Sequence, residues 1–139
     1  MSKRVFLISL CIIGIIGIRL FQNELFYDPV SIHFKQLGSV SYKSVQINIF
    51  CWSLLSSIRY ALNGLFSCAI IATLSNISEG ISYYKIYLVF LPIILGVTLI
   101  VFVFLDNPFF LFYSHRFLVQ PIIGFVVIGS FYYNKTATP

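Results

Sequence analysis

Apolar positions along this chain fall into four long runs separated by short polar stretches: Val5 to Phe21, Val45 to Leu74, Ile86 to Leu105 and Pro108 to Tyr133. A helix needs about 20 apolar residues to cross a hydrocarbon core of ~30 Å. Neither the strict alternation of a half-buried strand nor the single apolar stripe of a surface helix describes these runs. The pattern predicts an all-α integral membrane protein, a four-helix transmembrane bundle forming one membrane domain over residues 1–139. The second run is longer than a core requires, so tilt or an interfacial first turn must absorb the excess. The third has no charged residue and contains Pro92, which predicts a kink. Asp106, Asn107 and Pro108 alone separate the third run from the fourth, a tight turn joining an antiparallel pair. The connection from Gln22 to Ser44 mixes acidic, basic and aromatic residues, with a turn expected at Asp28-Pro29. The first run follows Lys3 and Arg4 and lacks an A-x-A-like site, so it reads as a retained anchor rather than a cleaved signal peptide.

Composition strengthens the membrane reading. Hydrophobic residues make up 59% and charged residues 9%, against roughly 45 to 50% and 25% in soluble domains, and the mean hydropathy is +0.95. The formal charge of +5 comes from nine scattered Lys and Arg residues without a basic run, which argues against nucleic-acid binding. Lys3, Arg4, Lys85 and Lys135 on one side, against Lys35 and Lys43 on the other, put both termini in the cytoplasm. Cys11, Cys51 and Cys68 are odd in number, form no C-x-x-C pair and read as membrane-buried thiols. No cofactor or metal is expected, and the sequons at Asn76 and Asn134 carry no weight by themselves.

Candidate chemistry centres on arginines placed inside apolar runs. Arg59 and Arg116 are expensive in hydrocarbon and should face a bundle interior, a wet cavity or a partner. Ser56, Arg59, Asn63 and Ser67 recur at helical spacing on one face of the second run, and Tyr113, Arg116 and Gln120 do so on the fourth. Counted from the helix ends, Arg59 and Arg116 lie at similar depth, with Arg19 at the edge and His115 able to add charge. Glu24, Asp28 and Asp106 are the counter-charges expected on that side. Two readings stay open for this polar chamber: an ion-pair network that ties the helices together, or a receptor for an anion such as a lipid phosphate or a peptide carboxylate. Gly64, Cys68 and Ala72 form a separate stripe of small residues suited to close helix packing.

Three segments carry a resemblance: Arg19 to Pro29 (RLFQNELFYDP), Arg59 to Asn63 (RYALN), and Leu111 to Pro121 (LFYSHRFLVQP), followed by Phe131-Tyr-Tyr133. The chain resembles the exosortase F system-associated membrane proteins of flavobacteria over nearly its whole length, least across Ser31 to Lys43. The family pattern more often has two arginines where His115 and Arg116 stand. The resemblance implies a non-catalytic inner-membrane protein that stabilises an exosortase or presents its substrate, with membrane lipid and an exosortase as partners. It lends no catalytic residues. Alternatives are the handling of a lipid or polyprenyl phosphate, and a cysteine-dependent transpeptidase using Cys51, His115 and Arg116.

Overall fold

The computed structural model describes residues 3–37, 47–105 and 107–137. Among them every regular element is a helix: α1 (Lys3–Leu20), α2 (Gln22–Leu25), α3 (Pro29–Leu37), α4 (Ile49–Leu74), α5 (Ile77–Phe104), α6 (Pro108–Val119) and α7 (Ile122–Ala137). Side chains placed at the helix starts explain most of these bounds. The Asn48 side chain accepts the Cys51 N–H at 3.2 Å, and Asn107 accepts those of Phe109 and Phe110 ahead of Pro108 in the first turn.

Three boundaries differ from the expected ones. The helix expected to begin at Val45 begins at Ile49, and residues 38–46 lie outside the described set. The helix expected at Ile86 starts at Ile77 instead. Asn76 accepts from the Glu79 N–H at 2.9 Å, and the Glu79 carboxylate accepts from Asn76 Nδ2 at 3.3 Å and Ser75 Oγ at 2.5 Å. This reciprocal cap fixes the start two turns ahead of the apolar run. The span expected over 108–133 is not one straight helix. Pro121 has no N–H and forces Gln120 into extended backbone (φ −93°, ψ 149°), so α6 ends at Val119 and α7 leaves at 56°.

α4 and α5 are each long and apolar enough to cross a membrane, and α6 with α7 makes a third passage if the bent pair counts as one. The uncharged part of α1, Val5 to Ile18, spans only about 20 Å at ~1.5 Å per residue. Two or three helices therefore meet the requirement on length and composition, where four were expected.

α4 sits at the centre, packed by α1, α5, α6 and α7. Close approach to α5 depends on Gly64: a Cβ there would fall 2.2 Å from the Tyr87 ring. That ring stacks on Tyr60 at 4.3 Å, and each hydroxyl donates to the other residue's carbonyl, Tyr60 at 2.9 Å and Tyr87 at 3.1 Å. The small-residue stripe on α4 thus packs within the chain, with Gly80 of α5 against Ala72. On the other flank Gly124 of α7 lies against Ser67. Phe6, Ile13, Phe50, Val89, Phe104, Phe109 and Phe125 face outward while Ser56, Arg59, Asn63 and Ser67 of α4, Thr98 of α5 and His115 of α6 are buried, the reverse of a water-soluble bundle.

α1 runs antiparallel to α4, with Gly14 beside Phe66 and the α2 residue Gln22 reaching Arg59. At the other end Lys135 Nζ donates to the Leu74 carbonyl at 3.3 Å. The polar chamber and the basic helix ends therefore occupy opposite ends of the bundle.

Candidate functional site

The chamber is organised by a carboxylate that also starts a helix. Asp28 precedes Pro29, the first residue of α3, and its Oδ1 accepts the Ser31 N–H at 3.1 Å while Oδ2 accepts the Ser31 hydroxyl at 2.7 Å. The same carboxylate reaches two other helices. His115 Nε2 donates to Oδ1 at 2.8 Å from α6, and Arg59 Nη1 donates to Oδ2 at 3.2 Å from α4. Arg59 Nη2 continues the network to Gln22 Oε1 at 2.5 Å, and the Phe26 ring lies 5.8 Å from the guanidinium. Asp28, Arg59 and His115 are 3%, 1% and 2% exposed, so this is a buried network in which each charge has a partner. Burial by itself would raise the Asp28 pKa, but the hydrogen bond and charge of His115, with the two Ser31 bonds, outweigh it and hold the carboxyl at about 2.

α3 covers this cluster. Val30 is buried with Trp52, Val101 and Leu111, and the Trp52 ring lies over His115 at 5.6 Å. Among the described residues His115 Nδ1 and Arg59 Nε find no hydrogen-bond partner. Beside the cluster opens a cavity of about 240 Å³ bounded by α1, α2, α3 and α6 residues including Arg19, Gln22, His115, Arg116 and Gln120. With the Gln120 amide turned so that its oxygen faces the arginines, that oxygen accepts from Arg116 Nε at 2.9 Å and from Arg19 Nη1 at 2.9 Å. The Phe112 ring flanks the Arg116 guanidinium at 5.0 Å.

The expected residues thus divide. Arg59, His115 and Asp28 meet in the buried core of the site, while Arg19, Arg116 and Gln120 form its rim. Asn63, grouped with them on helical spacing, serves the break instead: its Nδ2 donates to the Val119 carbonyl at 3.2 Å, where the Gln120-Pro121 interruption frees a main-chain acceptor. Glu24, expected as a counter-charge, is exposed and pairs with no arginine among the described residues, because α2 turns it outward. Asp106 lies outside the described residues. Tyr113 is 56% exposed and does not share the inward face of α6, which Leu111, His115, Leu118 and Val119 occupy. Cys51 lies on the outer surface of the bundle at the start of α4, and the ring over His115 belongs to its neighbour Trp52.

Gln22, Ser31 and Trp52 were not singled out from the sequence. Ser31 carried a usable signal, since Asp-Pro-x-Ser places a hydroxyl and an N–H where a capping carboxylate can take both. Gln22 follows Arg19 by one helical turn but gives no polar periodicity that would have marked it.

The fold and this site define an all-helical protein with two or three helices suited to a membrane and a buried ionic cluster at one end. No protein-family model, curated protein or solved structure matches the chain.

Proposed function

We propose that this chain is a non-catalytic accessory protein of a bacterial inner membrane that works beside an exosortase, stabilising it or presenting its substrate. Both termini lie in the cytoplasm and the chamber faces the periplasmic leaflet. In this arrangement α1 is a fourth span: Lys3 and Arg4 at one end and Arg19 at the other extend its short apolar length by reaching to the interfaces. The exosortase partner rests on the resemblance of the Arg19 to Pro29, Arg59 to Asn63 and Leu111 to Pro121 segments.

One observation carries the non-catalytic reading. Among the described residues the bonds of the Asp28 carboxylate go to Ser31, Arg59 and His115, which suits a clamp holding α3, α4 and α6 together better than a proton-transfer centre. Cys51, at this end of α4, is exposed, and the α4 side chain packed on the imidazole is Trp52, whereas an activated nucleophile needs its base within hydrogen-bond reach. The test is sorting-signal processing in cells carrying Cys51→Ala, together with recovery of the exosortase on the tagged full-length chain after mild detergent extraction. Unchanged processing and co-purification are expected. Lost processing at normal protein abundance would contradict the non-catalytic reading, and no co-purification would contradict the partner.

A further inference from the structure

The rim of the chamber holds more positive charge than it neutralises. Among the described residues Asp28 is bonded to Arg59 and His115, and neither Arg19 nor Arg116, which line the adjoining cavity, has a carboxylate partner. Arg19 and Arg116 converge instead on the single neutral oxygen of Gln120, both at 2.9 Å. Two guanidiniums brought together on an uncharged acceptor repel one another, and an anion between them relieves that repulsion and takes up their remaining donors.

The surroundings of this pair say what the rest of the ligand must be. Arg19 and Gln120 line the polar cavity of about 240 Å³ on one side and a groove of about 320 Å³ on the other. The groove lies between α1 and α7, which each pack on α4, and its other walls are apolar, among them Ile15, Ile16, Ile122 and Phe125. Ile16 and Phe125 are half or more exposed, so the groove opens sideways, along the outward apolar face of the bundle. A cationic cavity that continues into an apolar groove matches an amphiphile with an anionic head and a hydrocarbon tail.

We propose that the chain holds one anionic phospholipid, its phosphate on Arg19, Arg116 and Gln120 and one acyl chain in the groove between α1 and α7. The inference rests on the chain being embedded in a bilayer and is independent of the exosortase assignment. A peptide carboxylate would satisfy the arginines but leave the groove unfilled. A zwitterionic lipid would bring its own cation against Arg19 and Arg116. Arg116 in the half-buried wall fixes the phosphate, and exposed Arg19 at the mouth draws it in.

The test uses the full chain purified in mild detergent and titrated with dioleoyl phosphatidylglycerol, dioleoyl phosphatidylcholine or sodium phosphate, read by native mass spectrometry and by thermal shift. One phosphatidylglycerol should bind, about tenfold or more tightly than phosphatidylcholine, and sodium phosphate should give no shift. Arg19→Gln and Arg116→Gln should each weaken phosphatidylglycerol binding by about tenfold, and Arg116→Lys should weaken it less, since it keeps the charge and loses the fork. Ile122→Trp, which fills the groove without touching a charge, should weaken it as well. If Arg116→Gln does not fold, Arg116→Lys and Ile122→Trp decide the matter. Equal affinity for the two lipids, arginine variants that bind as the parent does, or a full shift with sodium phosphate alone would each overturn the lipid site. Displacement of the lipid by a carboxylate-ended peptide, with Ile122→Trp unaffected, would overturn it in favour of a peptide. Chain that resists an alkaline carbonate wash of membranes yet binds no phosphatidylglycerol refutes this site alone, whereas chain released by the wash refutes the membrane reading beneath it.

Discussion

Asp28 does two jobs with four contacts. It caps α3 through Ser31 and it neutralises Arg59 while holding His115, so the start of a short surface helix is tied to the two helices beneath it. The depressed carboxyl gives a pH dependence with a definite sign. An ordinary aspartate titrates near about 4 and this one at about 2. The unfolded chain therefore takes up the proton first on acidification. Stability from this group is complete above pH of about 4 and is lost as pH falls from there through about 2. Thermal melting in detergent should drop over that window for the parent chain, and Asp28→Asn should be less stable at neutral pH with a flatter acid limb. Ser31→Ala removes a hydroxyl donor but leaves the N–H cap, and is expected to cost about 1 kcal/mol in the same assay.

At the scale of elements, the break between α6 and α7 and its repair by α4 set the shape of the site. Pro121 ends α6 just where Gln120 must face two arginines, and Asn63 takes up the Val119 carbonyl that the break frees. Asn63→Leu should cost about 1–3 kcal/mol, the penalty for a buried acceptor left without a donor, read by denaturation in mixed micelles. Gly64→Ala drives a methyl into the stacked Tyr87 ring and should cost about 1–3 kcal/mol by overpacking.

These elements also show what could be read from the chain. The polar face Ser56, Arg59, Asn63 and Ser67 was visible because helical spacing forces those residues together, and all four are buried. The break at Gln120-Pro121 leaves no mark in the hydropathy, because apolar residues continue on both sides and a missing N–H does not change it. α3 was hidden for a different reason. Its start, Asp28-Pro29, serves a turn and a helix cap equally well, and only the positions of Arg59 and His115, far away in sequence, decide which. Glu24 and Asp28 are alike as counter-charges in the sequence, but Glu24 sits on the outer side of the four-residue α2 whereas Asp28, three residues beyond its end, is buried.

For the whole molecule, the outward apolar faces, the buried polar cluster and the opposite placement of chamber and basic ends fit the proposed membrane bundle, with lipid on its sides and water at its ends. Exposed Glu24 lies at the chamber end, so Glu24→Cys in a background without native cysteines reports its side of the membrane. An impermeant thiol reagent should label it in intact cells once the outer membrane is permeabilised. Labelling only after lysis of the inner membrane would invert the orientation.

The Asp28 to Arg59 pair, buried between the start of α3 and α4, holds the chamber together. A double-mutant cycle on unfolding in mixed micelles tests it most directly. Asp28→Asn leaves a buried guanidinium without its anion and Arg59→Met leaves the anion with His115 alone, so each should be strongly destabilising, by about 3–5 kcal/mol for the worse of the two. The double variant removes both charges and should be less destabilised than the sum of the two by 1 kcal/mol or more, on the order expected for directly contacting residues. Strict additivity of the two changes, or single variants as stable as the parent, would contradict the account.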